Sequence, residues 1–337
     1  MNSSIVKTSL KPYNTFGIDV SAQKILNWKS EEEVEVFFKG GDRNVLVLGG
    51  GSNVLFIKDI DRTVVLNRIK GIEIINESDE SVEIRVGAGE DWHEFVLYCL
   101  DQGWGGVENL SLIPGCIGAS PIQNIGAYGV EIKDVLLRVE AVSRKDGRKE
   151  VFGNSSCKFG YRDSIFKRSH KNQYVITAVV LRLEKNRKVN VSYGAIQSEL
   201  EKMGVDSPGI RDVSNAVIRI RKSKLPDPKL LGNAGSFFKN PVVTREKYQS
   251  LKKRYPQIPS YPVNDDQVKI PAGWLIDHAG WKGRRFENYG VHEKQALVLV
   301  NYGGATGNKI YQLSEKILQD IAERYGISLE REVNIIK

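Results

Sequence analysis

Apolar positions Val34, Phe37 and Phe38 recur at helical spacing between Glu31 and Lys39, behind a Ser30 suited to N-capping and with Glu33 placed to complete a capping box. Two four-residue apolar runs, Val45 to Leu48 and Thr63 to Leu66, lie between turn formers and predict buried strands. The chain up to about residue 70 therefore reads as a small α/β unit.

From Val82 the pattern changes. Val82, Ile84 and Val86 alternate with charged residues, Gly87 and Gly89 end the run, and a helix is predicted from Asp91 to Gln102. Its inward stripe is Trp92, Phe95, Val96, Cys99 and Leu100, with Gly103 as a left-handed stop. Long strands are predicted at Leu136 to Val142 and Val175 to Leu183, so the middle of the chain is strand-rich and of α+β type. Near Lys222 a third texture begins, where Pro226, Pro228, Gly232, Gly235 and Pro241 exclude regular structure and favour a site-bearing loop. There follow a helix capped by Thr244 with Tyr248 and Leu251 inward, a Tyr/Pro-rich loop from Tyr255 to Pro262, and a buried strand at Ala296 to Val300. A helix from about Lys309 to Tyr325, stopped by Gly326, and a strand from Ser328 to Ile336 close the chain. There is no internal repeat and no low-complexity linker.

With 337 residues, 41% of them hydrophobic and 27% charged, the chain has the composition of a globular protein of two or three domains. No stretch approaches the ~18 apolar residues of a membrane span, and Met1 to Asn14 lacks the apolar centre of a signal peptide, so no membrane insertion and a cytoplasmic location are expected. Cys99, Cys116 and Cys157 have no zinc spacing and suit a reducing compartment. The formal charge is +8. Its Lys and Arg are scattered, and the densest group, Arg219, Arg221, Lys222 and Lys224, is accompanied by Asp227. That distribution fits an anionic small molecule rather than nucleic acid.

Five segments carry candidate chemistry. In LVLGGGSNVLF, Leu46 to Phe56, a strand runs into three glycines, Ser52 and Asn53; the turn is either a nest of amide N–H groups for phosphate oxygens or simply tight. It has neither the Rossmann nor the P-loop spacing. LIPGCIGASPIQNIGAYG, Leu112 to Gly129, is almost uncharged and reads as a wall gripping a pyrophosphate beside an aromatic ring system, or as a buried crossover loop. The two together point to a dinucleotide. In FGYRDSIF, Phe159 to Phe166, Arg162 is either a permanent cation for a substrate carboxylate or the partner of Asp163.

The fourth segment, Lys224 to Pro241, sets Ser236 beside Gly235 with Lys224, Lys239 and Asn240 nearby. No His or Asp is arranged to activate this serine as a nucleophile, which leaves proton donation to a carbanion or the capping of a turn. Last, in LEREVNIIK, Glu330 and Glu332 share one strand face and Leu329, Arg331 and Val333 the other. Glu332 is either a carboxylate working beside a proton donor or one half of an edge ion pair. His93, His170, His278 and His292 form no metal spacing, and no metal is assigned.

Taken with YNTFGI at Tyr13 to Ile18 and AGWLID at Ala272 to Asp277, these segments resemble the UDP-N-acetylenolpyruvoylglucosamine reductase family, in its longer type I form, over nearly the whole chain. The resemblance implies an α+β, three-domain FAD-binding fold of the vanillyl-alcohol-oxidase type, not Rossmann. Its parts would be a first FAD-binding subdomain at 1–71, a second at 72–221 completed by the terminal strand 327–337, and a substrate domain at 222–326. It implies an NADPH-dependent, FAD-mediated reduction of an enolpyruvyl UDP-sugar to UDP-N-acetylmuramate, in peptidoglycan precursor synthesis, by what is expected to be a monomer. Carried over by motif position, Arg162 and Glu332 would polarise the substrate carboxylate and Ser236 would supply the proton. FAD would be held by Gly49, Gly50, Gly51, Ser52, Asn53, Gly118, Ser120, Pro121, Asn124, Gly126, Ala127, Gly129 and Arg162. The UDP-sugar or NADPH would meet Tyr161, Tyr193, Lys224, Asn240, Tyr261 and Gln295.

One departure stands out: Arg331 replaces the proline many family members carry before the acidic residue, which raises the entry angle of the last strand and a pairing with Glu330 as questions. Two other readings of the same residues are a flavin oxidase acting on another carboxylated substrate and a non-enzymatic nucleotide-sugar binder.

Overall fold

The computed structural model describes residues 7–337, and the first six residues of the expected first subdomain lie outside them. The chain forms two compact units. One consists of Ala22–Gly50 and Asp61–Ser223 with the described residues ahead of Ser9; the other of Ser9–Ser21, Gly51–Ile60 and Lys224–Lys337.

In the first unit, Val45–Leu48 pairs in parallel with Ile60–Asn67, Val45 opposite Thr63 and Leu48 opposite Leu66, which are the two apolar runs that predict strands. The helix Glu31–Lys39 packs Val34 and Phe38 with Trp28, Val45, Val65, Val142 and Val175. Ser30 caps it by accepting the Glu33 N–H at 3.2 Å. The expected capping box is slipped by one residue: the Glu33 carboxylate takes the N–H of Lys29, not that of Ser30.

A five-stranded antiparallel sheet follows, in the order Lys149–Gly153, Leu136–Ser143, Tyr174–Glu184, Ser81–Gly87, Ile72–Glu77. Against it lies the helix Trp92–Asp101, capped by Asp91 and stopped at Gly103 with φ of 76°. Every residue of its expected stripe is buried, and burying a side chain such as Phe95 stabilises the fold by about 1.5–3 kcal/mol. Cys99, Cys116 and Cys157 are buried, unbridged thiols. Burial raises all three, Cys157 to about 11, so they are inert packing groups.

Two helices of this unit escape the sequence reading, Gly194–Lys202 and Ile210–Lys224. The second buries only the narrow apolar stripe Val213, Ala216, Val217 and Ile220, with Ser214 beside it. Its other positions are crowded with Arg, Lys and Asp, which hides the 3.6-residue period.

The second unit holds the helices Arg245–Arg254, Ala272–His278 and Gly307–Tyr325, the first and last capped by Thr244 and Thr306. Ile310, Leu313, Ile317 and Ile321 are buried along the last, and Gly326 ends it in the left-handed conformation. The expected strand at 296–300 is shifted to Leu299–Asn301, with Val298 in a bridge to Ser236. The expected strand at 328–336 is broken. Arg331 pairs antiparallel with Phe238, and only Asn334–Ile336 forms a strand, parallel to Val54–Phe56. Among the described residues no helix is long and apolar enough to cross a membrane.

Candidate functional site

The partition between the units falls inside the first glycine turn. Gly49 and Gly50, in the first unit, are pressed on the second glycine tract: a Cβ on Gly50 would lie 3.1 Å from the Gly115 Cα, and one on Gly49 would lie 3.4 Å from the Cys116 Cβ. Gly50 thus lies close to the Gly115 backbone, where a side chain would be tight, while Gly49 is in ordinary contact with the Cys116 side chain.

In the second unit, Gly51 has φ of +62°, and a Cβ there would sit 2.0 Å from the Tyr13 carbonyl oxygen, so only glycine fits. YNTFGI explains this closeness. Asn14 folds the segment by donating to the carbonyls of Leu10 and Ile18, and the Thr15 N–H donates to the Gly51 carbonyl at 3.1 Å. The same segment holds the serine-bearing loop, because the Asn233 N–H donates to the Thr15 carbonyl and the Asn301 amide to that of Phe16.

Ser236 stands half-buried after Gly235, whose φ is +69°. The next residues form the ladder that carries Glu332: the Glu332 N–H donates to the Phe237 carbonyl at 2.8 Å and the Lys239 N–H to the Glu330 carbonyl at 2.9 Å. Ser236 and Glu332, distant in sequence, therefore lie on neighbouring segments of one unit. Asn53 joins them there, its side-chain amide donating to the Glu332 carbonyl at 3.3 Å.

The question of Arg331 is answered by these bonds. The N–H groups flanking its pairing with Phe238 belong to Lys239 and Glu332, so either proline or arginine fits this ladder position. Arg331 does not pair with Glu330, which takes Lys239 at 3.0 Å; its guanidinium goes to Ser314 and Glu315 on the last helix.

In the first unit the second glycine tract is built from inside. Asn124, fully buried with φ of 46°, donates to the Glu131 carboxylate and the Gly160 carbonyl and accepts the Lys133 N–H. Ser120, also buried, turns its hydroxyl to the Ile117 carbonyl at 2.6 Å. Pro121 is buried, Gly118 packs on Ala88, and Ala127 is half-buried beside Gly129, whose φ is +82°. Asn124 thereby ties this tract to FGYRDSIF, where Arg162 has φ of +53°, donates to the Gly126 carbonyl at 2.6 Å and lies over the Tyr161 ring. The Asp163 carboxylate is engaged by Arg168 at 3.0 Å.

Arg221, read in the sequence only as one of a group of cations, reaches the second glycine tract. It follows Ile220 on the inward side of Ile210–Lys224 and donates to the Leu112 carbonyl at 3.2 Å. Burial pulls its guanidinium below the ordinary value; the Tyr128 phenol opposes this and the Arg162 charge adds to it. Two half-buried guanidinium groups that repel each other are stabilised by an anion. Tyr128 itself, at φ of +50°, meets Tyr193 edge to face at 5.3 Å between ring centres. The available signal was the helical stripe: Ser214, Val217 and Arg221 share one face, and Ser214 pins the start of the glycine tract through a 2.7 Å bond to Ser111.

The remaining expected residues divide between the units. Tyr161 and Tyr193 are exposed rings of the first. In the second, Lys224 ends the helix Ile210–Lys224 in an exposed position, Asn240 accepts the Ala272 N–H at the start of Ala272–His278, and Tyr261 lies exposed in the two-residue strand Tyr261–Pro262. Gln295 is half-buried beside Gly273.

Residues 22–152 match the family model of an FAD binding domain, and residues 227–336 that of the UDP-N-acetylenolpyruvoylglucosamine reductase C-terminal domain. Proteins of that reductase name from Flavobacterium johnsoniae, Bacteroides fragilis and Pseudomonas aeruginosa are 50%, 48% and 47% identical to it. The alignments cover 97%, 98% and 97% of this chain and 98%, 99% and 97% of those relatives. The crystal structure of the Thermus caldophilus reductase has the same fold, with a TM-score of 0.68 at 23% identity over 98% of both chains. By this full-length identity, and by the match of residues 227–336, the chain belongs to the UDP-N-acetylenolpyruvoylglucosamine reductase family.

Proposed function

We propose that this protein reduces the enolpyruvyl ether of UDP-N-acetylglucosamine to UDP-N-acetylmuramate, using FAD as resident cofactor and NADPH as electron source. The observation that carries the reading is the hydrogen bonding of the Glu332 segment to that of Ser236 in the second unit; Arg162 and Arg221, on the FAD-binding part of the chain, supply the cations the reading calls for. The proposed division of labour assigns 1–71, and 72–221 with 327–337, to the flavin and 222–326 to the UDP-sugar. The proposed setting is the cytoplasm, with the protein a monomer.

The residues present suit an FAD pyrophosphate. The turn is close-packed at Gly50, tight against the Gly115 backbone, and at Gly51, where a Cβ would meet the Tyr13 carbonyl oxygen; its amide N–H groups are the proposed donors. Gly51, Ser52 and Asn53 continue the turn, and Gly118, Ser120, Pro121, Asn124, Gly126, Ala127 and Gly129 form the proposed enclosing wall. When bound, FAD supplies hydride transfer, which no side chain performs.

The chain's own residues supply the rest. Arg162 holds the substrate carboxylate with a planar, permanently charged fork, and its bond to the Gly126 carbonyl sets the direction of that fork. Negative charge that develops beside the carboxylate is stabilised by Arg162, with Glu332 acting on the enol form. The Ser236 hydroxyl delivers a proton to the carbon next to the carboxylate. Tyr193, Lys224, Asn240, Tyr261 and Gln295 bind the nucleotide diphosphate or NADPH, and Tyr161 covers Arg162.

The first test is chemical identification of the cofactor. The purified protein should be yellow and release FAD on denaturation, and beyond the first equivalent that reduces the flavin it should oxidise NADPH rapidly only when the enolpyruvyl UDP-sugar is present. Release of flavin mononucleotide, or rapid NADPH oxidation by oxygen without the sugar, would contradict the reading.

A further inference from the structure

The Arg331 side chain grips another element by several contacts at once. Its Nε donates to the Ser314 hydroxyl at 2.8 Å, its Nη2 lies 2.7 Å from the Glu315 carboxylate, and its guanidinium covers the Tyr311 ring at 4.8 Å. All three partners are on the helix Gly307–Tyr325, and Ser314 is fully buried. Leu329 and Val333, two residues to either side, are buried on the same face, whereas Glu330 is exposed. Since a strand alternates its side chains, anchoring Arg331 toward the helix turns Glu332 to the opposite face.

The strand pairing around it is brief. Arg331 and Phe238 form an isolated bridge, and regular pairing resumes only at Asn334–Ile336. In so short a ladder a slip of one residue would exchange the faces of Arg331 and Glu332. A planar fork tied to two side chains and laid over a ring resists that slip in a way a single hydrogen bond does not.

We propose that Arg331 is a positioning residue for the reaction: its clamp on Tyr311, Ser314 and Glu315 fixes the register and direction of Glu332. The inference rests on the reading of Glu332 given above.

The test compares Arg331→Met, Arg331→Lys, Glu315→Gln and Glu332→Gln in the FAD-loaded enzyme, with hydrogen exchange measured on the cofactor-free chain. Arg331→Met should leave flavin reduction by NADPH within about twofold of the parent while slowing reoxidation by the enolpyruvyl UDP-sugar about tenfold. Amide exchange across residues 330–334 should quicken by a similar factor. Arg331→Lys should recover part of the loss, and Glu315→Gln should show a smaller loss that does not add to that of Arg331→Met, as expected of groups in one network.

Unchanged reoxidation and exchange in Arg331→Met, with Glu332→Gln slow, overturn the clamp and leave the reading of Glu332 standing. Parent-like reoxidation in Glu332→Gln overturns that reading and with it the catalytic purpose of the clamp. Equal loss of both half-reactions in Arg331→Met, accompanied by lost flavin, assigns Arg331 a purely structural role and also overturns the proposal. If Arg331→Met does not fold, Glu315→Gln decides, because it loosens the clamp from the helix side: a selective loss of reoxidation supports the proposal and parent-like behaviour overturns it.

Discussion

The side-chain amide of Asn53 donates to the main-chain carbonyl of Glu332 at 3.3 Å, joining residues 279 positions apart. The link is doubled, since the N–H and side-chain amide of Asn334 both donate to the Asn53 carbonyl, at 3.1 and 3.0 Å. A turn that the sequence marks for phosphate binding is thus fastened to the segment carrying the proposed catalytic acid.

Asn53→Ala should therefore affect both functions. Losing one such bond costs about 0.5–1.5 kcal/mol, enough to lower thermal stability measurably. The variant is expected to purify with less FAD than the parent and, once reconstituted, to reoxidise more slowly with substrate. Absorbance ratios and stopped-flow traces check this; full flavin content with parent-like reoxidation would show that the link is dispensable.

Arg162→Lys keeps the charge but loses the planar fork that reaches the Gly126 carbonyl and lies over Tyr161. Turnover should fall at least about tenfold with the FAD content unchanged. Steady-state rates at saturating NADPH decide the matter, and turnover close to the parent's would remove the case for a bidentate carboxylate contact.

Ser236→Ala should spare flavin reduction by NADPH and slow the second half-reaction by about 10²-fold or more, the scale of a lost general acid. Equal slowing of both halves would withdraw the proton-donor assignment.

The start of the second glycine tract gives a pH prediction. The Leu112 N–H donates to His93 Nδ1 at 3.0 Å, which requires an unprotonated ring nitrogen. Burial holds His93 below its ordinary value, and the Arg221 and Lys222 charges add to this, while Glu94 and Asp91 oppose it. Below the ordinary imidazole range, about 6.5, the unfolded chain then binds a proton that the native chain refuses, so stability falls as pH falls. Melting temperatures between about pH 7.5 and 5.5 should drop less steeply in His93→Gln than in the parent. Identical slopes would show that His93 is not the group responsible.

Much of this architecture is legible in the sequence where one physical rule dominates. The stripe of Trp92, Phe95, Val96, Cys99 and Leu100 and the parallel pair at 45–48 and 63–66 announce themselves by period and by turn formers at their ends. Short pairings are not legible. The break between Arg331 and Asn334 is fixed by tertiary partners, Phe238 and Val54 to Phe56, that no local pattern reveals. Likewise Arg221 is hidden among the exposed cations of its helix, and its partners Leu112 and Tyr128 come from a distant loop. YNTFGI is conspicuous only as a family motif; its task of holding the Gly51 turn and the Asn233 loop together emerges from hydrogen bonds to both.

If the enolpyruvyl UDP-sugar is what reoxidises the reduced protein, anaerobic two-step mixing shows it directly. The FAD-loaded enzyme is bleached with one equivalent of NADPH and then mixed with the UDP-sugar while flavin absorbance is followed. The oxidised spectrum should return rapidly with stoichiometric formation of UDP-N-acetylmuramate; flavin that stays reduced until oxygen is admitted would rule the sugar out as the oxidant.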